Sequence, residues 1–402
     1  MLDPLLSWLD EQQAVMAQQV RAWSQINSGT ENLAGLAQMR TLISECFAPL
    51  GTRIEEIPGQ VVVQPSNDGS ERQVPVGASL RISKVRPDTP KIILHGHMDT
   101  VFPVDHPFQS LTELDEVRLQ GPGVTDMKGG ILVMLYGLHA FEQCPLAQEL
   151  SWEVFLNSDE ETGSRGSMPA LLECAQGAKI GLGYEPCMPH GALAGARKGS
   201  ANFYLAVTGK SAHAGREFHL GRNALAALCE FMHELHQLNQ QRNTITLNIG
   251  QAHCPGPLNV VPVSAVGGFN IRIQSPDDQQ WFQTLLDERV QCFNQQDGLS
   301  IKLYGGFTRP AKPLDDTTKT LCTLIQSCGA RLGLELEFEA TGGCCDGNNL
   351  AAAGVPTIDT LGVRGANIHT ADEFIWLESL SERAKLTYLL LCELVRHPTL
   401  LR

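Results

Sequence analysis

Histidines and carboxylates follow apolar segments of this chain at several points, in positions where they could bind metal ions. The first case is the pair His97 and Asp99, which comes shortly after the predicted strand 91–94, with its apolar residues Ile92–Leu94. Such a run predicts a buried strand, and open α/β sheets bind ligands at the carboxyl ends of their strands. There His97 can ligate a metal while Asp99 orients the imidazole and raises its basicity. A loop histidine beside a capping aspartate is the alternative that this segment alone leaves open.

Two further segments add carboxylates. Asp126 lies in the glycine-rich loop 121–130, and its two oxygens can bridge two metals. The loop matches neither the dinucleotide-binding nor the P-loop spacing, which argues against a phosphate site. Glu160 and Glu161 follow the apolar run 150–156. They could form a solvated loop face, but beside a metal one could ligate while the other acts as a general base, which must reach its proton within about 3 Å.

The last two candidates complete a ligand set. Glu185 ends the apolar segment 180–183, and His369 follows a predicted fourth strand, 355–361. Two imidazoles and three carboxylates, one of them shared, suit a pair of zinc ions. Charge agrees with this interpretation, because two Zn²⁺ would balance the four carboxylates of the site, which would otherwise repel one another. The predicted ligands are His97, Asp126, Glu161, Glu185 and His369.

Strand-like and helix-like segments alternate up to about residue 195, which predicts a mainly parallel sheet flanked by helices. The predicted strands of this part are 91–94, 150–156 and 180–183. The predicted helices are 4–25, 33–47, 129–142 and 168–175. Beyond residue 315, the pattern predicts a helix at 316–332, the strand at 355–361 and a helix at 377–397.

A different pattern occupies the middle of the chain. Its strands and helices follow the order β-α-β-β-α-β, the split motif of ferredoxin-like α+β domains. The six segments are 201–208, 223–238, 244–250, 265–274, 277–293 and 300–304. We therefore expect a catalytic domain formed by residues 1–196 and 310–402, interrupted by an inserted domain at 197–309.

Composition narrows the class of protein. The chain has 402 residues and a net charge of −14, which argues against a nucleic-acid partner or an anionic membrane surface. No apolar run approaches the roughly 18 residues of a membrane span, and Met1–Trp8 lacks the basic start of a signal peptide. The 12 cysteines are scattered, which favours reduced thiols in the cytoplasm.

Taken in order, these motifs resemble a known family. The strings GHMDTV, GPGVTDMKGG, NSDEETGS, GYEP and HTADE are similar to those of the zinc aminoacylase/carboxypeptidase family. Residues 25–30 and 197–199 resemble its glutamate carboxypeptidase branch. The resemblance implies two zinc ions per subunit, which cobalt or manganese could replace, with Asp126 bridging them. By analogy Glu185 shares the metal of His97, and His369 shares that of Glu161.

The resemblance extends to residues that act on the substrate. It implies Glu160 as the general base. Asp99, which would orient His97, is a further predicted catalytic residue. It also implies a homodimer formed through the inserted domain, in which His213 reaches the partner's site and stabilises the developing oxyanion. Asn259 and Arg272 resemble substrate-binding residues of the family, and arginine suits a carboxylate. A surface turn for His213 and a strand-end ion pair for Arg272 are the alternatives.

Two details complete what the resemblance implies. The peptide bond between Asp126 and Met127 is expected to be cis. Cys344 and Cys345 depart from the family, which usually has serine or threonine in this glycine-rich turn. We interpret Cys344 and Cys345 as small buried residues of this turn. A redox or ligand role is the alternative.

The predicted function is hydrolysis of an amide or peptide bond next to a free carboxylate, with release of a C-terminal amino acid. Glu160 would take a proton from the attacking water and return it to the leaving amine. The substrate would be a small molecule or short peptide with a free carboxylate. An N-acyl amino acid deacylase is the alternative within this class. A catalytically silent dimer that binds metal or ligand is the alternative from another class, and loss of Glu160 or a ligand would have indicated it.

Overall fold

Ten helices and eighteen strands make up residues 3–401, the part of the chain that the computed structural model describes. Met1, Leu2 and Arg402, at the ends of the predicted catalytic domain, lie outside the described residues. The helices are α1 Pro4–Glu11, α2 Gln13–Ser24, α3 Leu33–Phe47, α4 Gly129–Glu142, α5 Met168–Ala175, α6 Ala224–Gln241, α7 Pro276–Phe293, α8 Asp316–Arg331, α9 Asp346–Ala352 and α10 Ser379–Arg396. The strands are β1 Arg53–Ile57, β2 Val62–Pro65, β3 Glu71–Val74, β4 Ser79–Lys84, β5 Lys91–His97, β6 Thr112–Glu113, β7 Arg118–Gln120, β8 Ser151–Asn157, β9 Ala178–Gly183, β10 Leu193–Arg197, β11 Gly199–Thr208, β12 Ile245–His253, β13 Ser264–Ile273, β14 Ser300–Arg309, β15 Phe338–Thr341, β16 Thr357–Ile358, β17 Gly365–Ala366 and β18 Phe374–Trp376.

The central sheet has the strand order β1-β4-β8-β5-β9-β16. Strands β8, β5, β9 and β16 run parallel, whereas β4 is antiparallel to both of its neighbours. Successive side chains of β5 enter different layers, because side chains alternate across a strand. Ile92 and Leu94 join the main core, and Ile93 packs with Leu171 on the other face. The predicted α/β class, a mainly parallel sheet between helices, is confirmed.

The inserted segment folds around a core of its own. Its sheet has the order β12-β13-β11-β14, with antiparallel pairing throughout, and α6 and α7 contribute to the same core. Phe203, Phe269 and Phe282 pack at its centre, with ring centroids 5.2 to 6.1 Å apart. This is the predicted ferredoxin-like arrangement. The exact bounds of the inserted domain, 197–309, stay a prediction.

Two predicted elements differ from the structure. Residues 4–25 form two helices, which meet at Gln12. Gln13 bonds to the backbone of Leu377 and Ser381, and this tertiary contact ties the start of α2 to the far end of the chain. Of the predicted strand 355–361, only Thr357–Ile358 form a strand, because the next residue, Asp359, makes buried ion pairs with Arg197 and Lys312.

The strand before His369 is also not the predicted one. His369 lies in the turn between β17 and β18, which belong to a small sheet of order β17-β18-β7-β6 and not to the central sheet. These strands are two or three residues long, too short for a hydrophobic pattern to reveal them. The mostly polar hairpin β2–β3 was missed for a similar reason. Among the described residues, no helix has the length and apolar character needed to cross a membrane.

Candidate metal centre

The parallel sheet brings three of the predicted segments to one edge. His97 is the last residue of β5, Glu160 and Glu161 follow β8, and Glu185 follows β9. These strands are neighbours and run in the same direction, so their carboxyl ends meet. His97 and Glu185 are buried, and the side chain of Glu161 is only 5 % exposed. The sheet topology therefore gathers an imidazole and three carboxylates in one place.

Asp126 and His369 reach the same place from other segments. Asp126 lies in the irregular stretch Val124–Lys128 that leads into α4, and the Asp126–Met127 peptide bond is cis, as expected. His369 adopts a φ of +64° in its turn, and its side chain remains about half exposed. The small sheet brings this turn close to Asp126.

The two carboxylate oxygens of Asp126 face different imidazoles. Asp126 Oδ1 lies 3.0 Å from His97 Nε2, and Asp126 Oδ2 lies 3.2 Å from His369 Nε2. Glu185 Oε2 is 3.7 Å from the same nitrogen of His97. Glu161 Oε2 is 3.2 Å from the same nitrogen of His369. The cluster thus divides into two halves that share Asp126.

The donor set fits metal ions. Ligand atoms of His97, Asp126 and Glu161 all lie within 4.8 Å of one another, and so do those of His97, Glu160 and Glu185. Glu185 Oε1 is buried and has no hydrogen-bond partner among the described residues. A buried carboxylate oxygen without a partner costs free energy unless a cation or donor meets it. Imidazole nitrogens and carboxylate oxygens are ligands that zinc prefers.

Without a metal, this cluster must hold protons. Burial, followed by the charge of Asp126, raises the pKa of Glu161 to about 8. Burial also raises the pKa of Glu185 to about 7, despite the opposing effect of His97. Hydrogen bonds to Asp126 and Glu161 raise the pKa of His369 to about 11. Since metal ligands bind in their deprotonated forms, metal binding would release these protons.

Asp99 holds more of the site than the sequence indicated. Its backbone carbonyl is 2.9 Å from His97 Nδ1, whereas its carboxylate Oδ1 is 3.4 Å from that nitrogen. The carboxylate accepts backbone N–H bonds from Glu160 and Glu161, both at 3.2 Å, and a bond of 2.7 Å from Thr30 Oγ1. Asp99 therefore fixes the imidazole and also the turn that carries both glutamates.

Sequence reasoning missed the support for Asp126. The buried Glu373 carboxylate accepts backbone N–H bonds from Gly123, Thr125 and Asp126 at 2.9 to 3.1 Å. Burial, and then the charge of Asp126, raises the pKa of Glu373 to about 7. The signal was present, because Glu373 closes the same HTADE string as His369. Its role could not be read from the string, since its partners lie about 250 residues earlier in the chain.

Arg309 is the second residue that sequence reasoning missed. It ends β14 of the inserted segment, and its side chain is only 2 % exposed. Its guanidinium donates to Glu160 Oε1 at 2.9 Å and to Ser164 Oγ at 2.8 Å, and lies 3.0 Å from Asp346 Oδ1. Burial raises the pKa of Glu160, and the charge of Arg309 opposes that rise. In the sequence this residue lies beyond the predicted strand 300–304, and no motif marked it.

The predicted substrate residues lie in two separate places. Arg272 Nη1 donates to Cys344 Sγ at 2.8 Å, and Cys344 lines a cavity of about 260 Å³ that opens on the metal cluster. His213 and Asn259 do not line this cavity. They lie side by side on loops of the inserted segment, where Ala214 N donates to the Asn259 carbonyl at 3.0 Å. Within one chain, therefore, only Arg272 comes near the cluster.

Comparison with known proteins gives consistent matches. A profile of peptidase family M20/M25/M40 matches residues 93–393. Carboxypeptidase G2 from Pseudomonas sp. (strain RS-16) is 27% identical over 309 residues, which cover 75% of this chain and 74% of the relative. Succinyl-diaminopimelate desuccinylase from Verminephrobacter eiseniae (strain EF01-2) is 28% identical over 363 residues, covering 84% and 87%. Both names describe hydrolases of amide bonds.

Solved structures agree on the fold. A tripeptidase from Staphylococcus aureus superposes with a TM-score of 0.70 at 19% identity, over 96% of this chain and 99% of the other. A dipeptidase from Saccharomyces cerevisiae superposes with a TM-score of 0.71 at 14% identity, over 98% of each chain. At these identities the likeness concerns the fold alone.

Proposed function

Because the chain belongs to peptidase family M20/M25/M40, an enzyme family that depends on metal ions, we propose that it hydrolyses an amide or peptide bond next to a free carboxylate. The observation that carries this proposal is the position of Asp126. Each of its two oxygens faces a different imidazole, with one additional carboxylate beside each. A bridging carboxylate between two incomplete ligand sets is what a pair of metal ions needs.

We propose zinc as the metal, with cobalt or manganese able to replace it. His97, Asp126 and Glu185 would hold one ion, and Asp126, Glu161 and His369 the other. When bound, zinc would polarise the substrate carbonyl and lower the pKa of a water molecule. Asp99 and Glu373 would keep the ligands in place through the hydrogen bonds described above.

Glu160 is the proposed general base. It follows directly on Glu161, yet its carboxylate is bound by Arg309 and not by an imidazole. A base must be held within reach of the attacking water and must remain able to accept a proton. The Arg309 contact fixes the orientation of Glu160 and favours its ionised form. Glu160 would take a proton from water and deliver it to the leaving nitrogen.

A second copy of the chain would complete the substrate site. His213 and Asn259 lie away from the cluster of their own chain, on loops that also expose Phe218, Leu220 and Leu258. Large apolar side chains exposed on the loops of one region are typical of a protein interface. We propose a homodimer in which His213 enters the partner's site and stabilises the developing oxyanion. Asn259 and Arg272 would bind the substrate, with Arg272 on its carboxylate.

Two substrate classes fit this site, C-terminal peptide bonds and N-acyl amino acids. They share the amide and the free carboxylate, and they differ in the group on the acyl side. The relatives above are named for both kinds of reaction. A reducing compartment such as the cytoplasm suits the chain, because all of its cysteines are free thiols.

A substrate screen tests the proposal. Purified protein would be incubated with a panel of dipeptides and N-acyl amino acids, loaded with zinc or stripped by a chelator. We expect zinc-dependent release of the free amino acid, and loss of that release on chelation. Glu160→Gln protein is the control for contaminating hydrolases. Failure of the zinc-loaded protein to cleave any member of the panel would favour the catalytically silent dimer.

A further inference from the structure

A second cavity adjoins the metal cluster at Glu161. It measures about 290 Å³ and lies between the hairpin β2–β3 and the sheet of the inserted segment. Glu161 lines both this cavity and the first one. A substrate whose carbonyl lies at the cluster could therefore extend into both cavities, with one side of the amide in each.

The walls of the second cavity combine apolar surface with hydrogen-bond donors that are not paired with a carboxylate. Val62, Val74 and Val76 supply the apolar part, and Arg165 and Tyr204 supply polar ends. The pockets that bind small molecules typically have this composition, mostly apolar with a few polar groups that fix orientation. Its volume is near the lower end of the usual range of about 300–1,000 Å³, which favours a short ligand.

Arg165 is the cation of this cavity. Its guanidinium makes one hydrogen bond, from Nη2 to the Val63 carbonyl at 3.3 Å, and no ion pair with any of residues 3–401. Glu31, which lines the same cavity, pairs instead with Arg72 at 2.9 Å. The hydroxyl of Tyr204, which lines the same cavity, makes no hydrogen bond to another described residue. A partly buried guanidinium without a carboxylate partner is well suited to bind one from a ligand.

We propose that the second cavity binds the acyl side of the substrate and that Arg165 pairs with a carboxylate at the end of a short acyl group. The inference rests on the proposed function, since it assumes that the amide lies at the cluster. Arg272 and Cys344 adjoin the first cavity and would take the free carboxylate of the leaving amino acid. The acyl group then extends the other way, past Glu161, with its methylenes along the valines.

The prediction concerns substrates that differ only at the acyl terminus. N-succinyl and N-butanoyl derivatives of one amino acid have the same chain length, but only the succinyl group ends in a carboxylate. We expect kcat/KM to be about 10- to 100-fold higher for the succinyl compound, the size of a charge-assisted hydrogen bond. Glutamyl and glutaminyl dipeptides provide the same contrast if the enzyme prefers peptides.

Arg165→Met should abolish this preference while leaving kcat/KM for the butanoyl compound within about 2-fold. Arg165→Lys should keep part of it, because the charge remains. Arg72→Met is the matched control, since it removes a charge near the same hairpin that is already paired with Glu31. Equal loss in Arg72→Met and Arg165→Met would overturn the proposal, because it would indicate a general field effect.

Calorimetry separates this inference from the proposed function, because it requires no turnover. Zinc-loaded protein should bind succinate about 10-fold more tightly than butanoate, and Arg165→Met should bind the two acids equally. Equal binding of both acids by the wild-type chain would overturn the proposal. An Arg165-dependent preference for succinate, without hydrolysis of any amide, would support the cavity and count against the proposed function.

Discussion

The metal cluster and the loops that carry His213 and Asn259 differ in how much of their surroundings one chain provides. Around the cluster, Asp99, Glu373 and Arg309 make hydrogen bonds within the same chain to the backbone of the proposed ligands or to the proposed base Glu160. Around the loops, Leu258 is fully exposed, with a relative accessibility of 102%, and Phe218 is 62% exposed. From this difference we expect one chain to suffice for metal binding, and we expect turnover to need the second copy of the proposed homodimer.

Glu160→Gln should give the largest effect. It removes the proposed base but leaves every proposed metal ligand in place, so kcat should fall about 10²- to 10⁴-fold. Steady-state rates and metal content of the purified variant decide the matter. Glu173→Gln, which changes an exposed glutamate of α5, is the matched control. Full activity of Glu160→Gln with metal bound would refute the assignment.

Subunit mixing tests whether the loop that carries His213 acts on the site of a second copy. His213→Ala alone should lose about 10²- to 10³-fold in kcat, as expected for removal of an oxyanion donor. Exchange of Glu160→Gln and His213→Ala dimers should restore about a quarter of the wild-type activity, since half of the dimers become hybrids with one intact site. Hybrids that stay inactive, or an active monomer, would show that one chain suffices.

Sequence reasoning succeeded where a pattern is local. The helices at 129–142 and 168–175 have the predicted bounds, and His97, Glu161 and Glu185 follow the predicted strands. It failed where a partner is distant in sequence. Glu373 and Arg309 become supports only through contacts across the fold, and Asp359 ends β16 early by pairing with Arg197 and Lys312. Such ion pairs leave no periodic signal.

Glu373→Ala should weaken metal binding with a smaller effect. It leaves the backbone N–H groups of Gly123, Thr125 and Asp126 without their acceptor, which frees the segment that carries the bridging carboxylate. Loss of such an outer support typically costs about 10- to 100-fold in metal affinity. Competition with a chromogenic chelator measures it. Glu378→Ala is the control, because it removes an exposed carboxylate that pairs with Arg364. Equal metal affinities of the two variants would contradict the supporting role of Glu373.

The pH dependence of stability should give the smallest effect. In protein stripped of metal by a chelator, the pKa values of Glu161 and Glu185 are about 8 and about 7, which is above those of the unfolded chain. The folded state then holds protons that the unfolded state has lost, so stability should fall as pH rises from about 4.5 to about 8. Thermal unfolding would show this trend, and Glu161→Gln should flatten it. If the metal-free protein became more stable over this pH range, the expected effect of the buried carboxylates would be contradicted.

Diffraction from zinc-loaded crystals at the zinc absorption edge tests the two-metal site most directly. Two anomalous peaks should appear in each chain, each about 2.0–2.2 Å from an oxygen of Asp126. One peak should also contact His97 and Glu185, and the other Glu161 and His369. A single peak, or peaks that do not touch Asp126, would contradict the account.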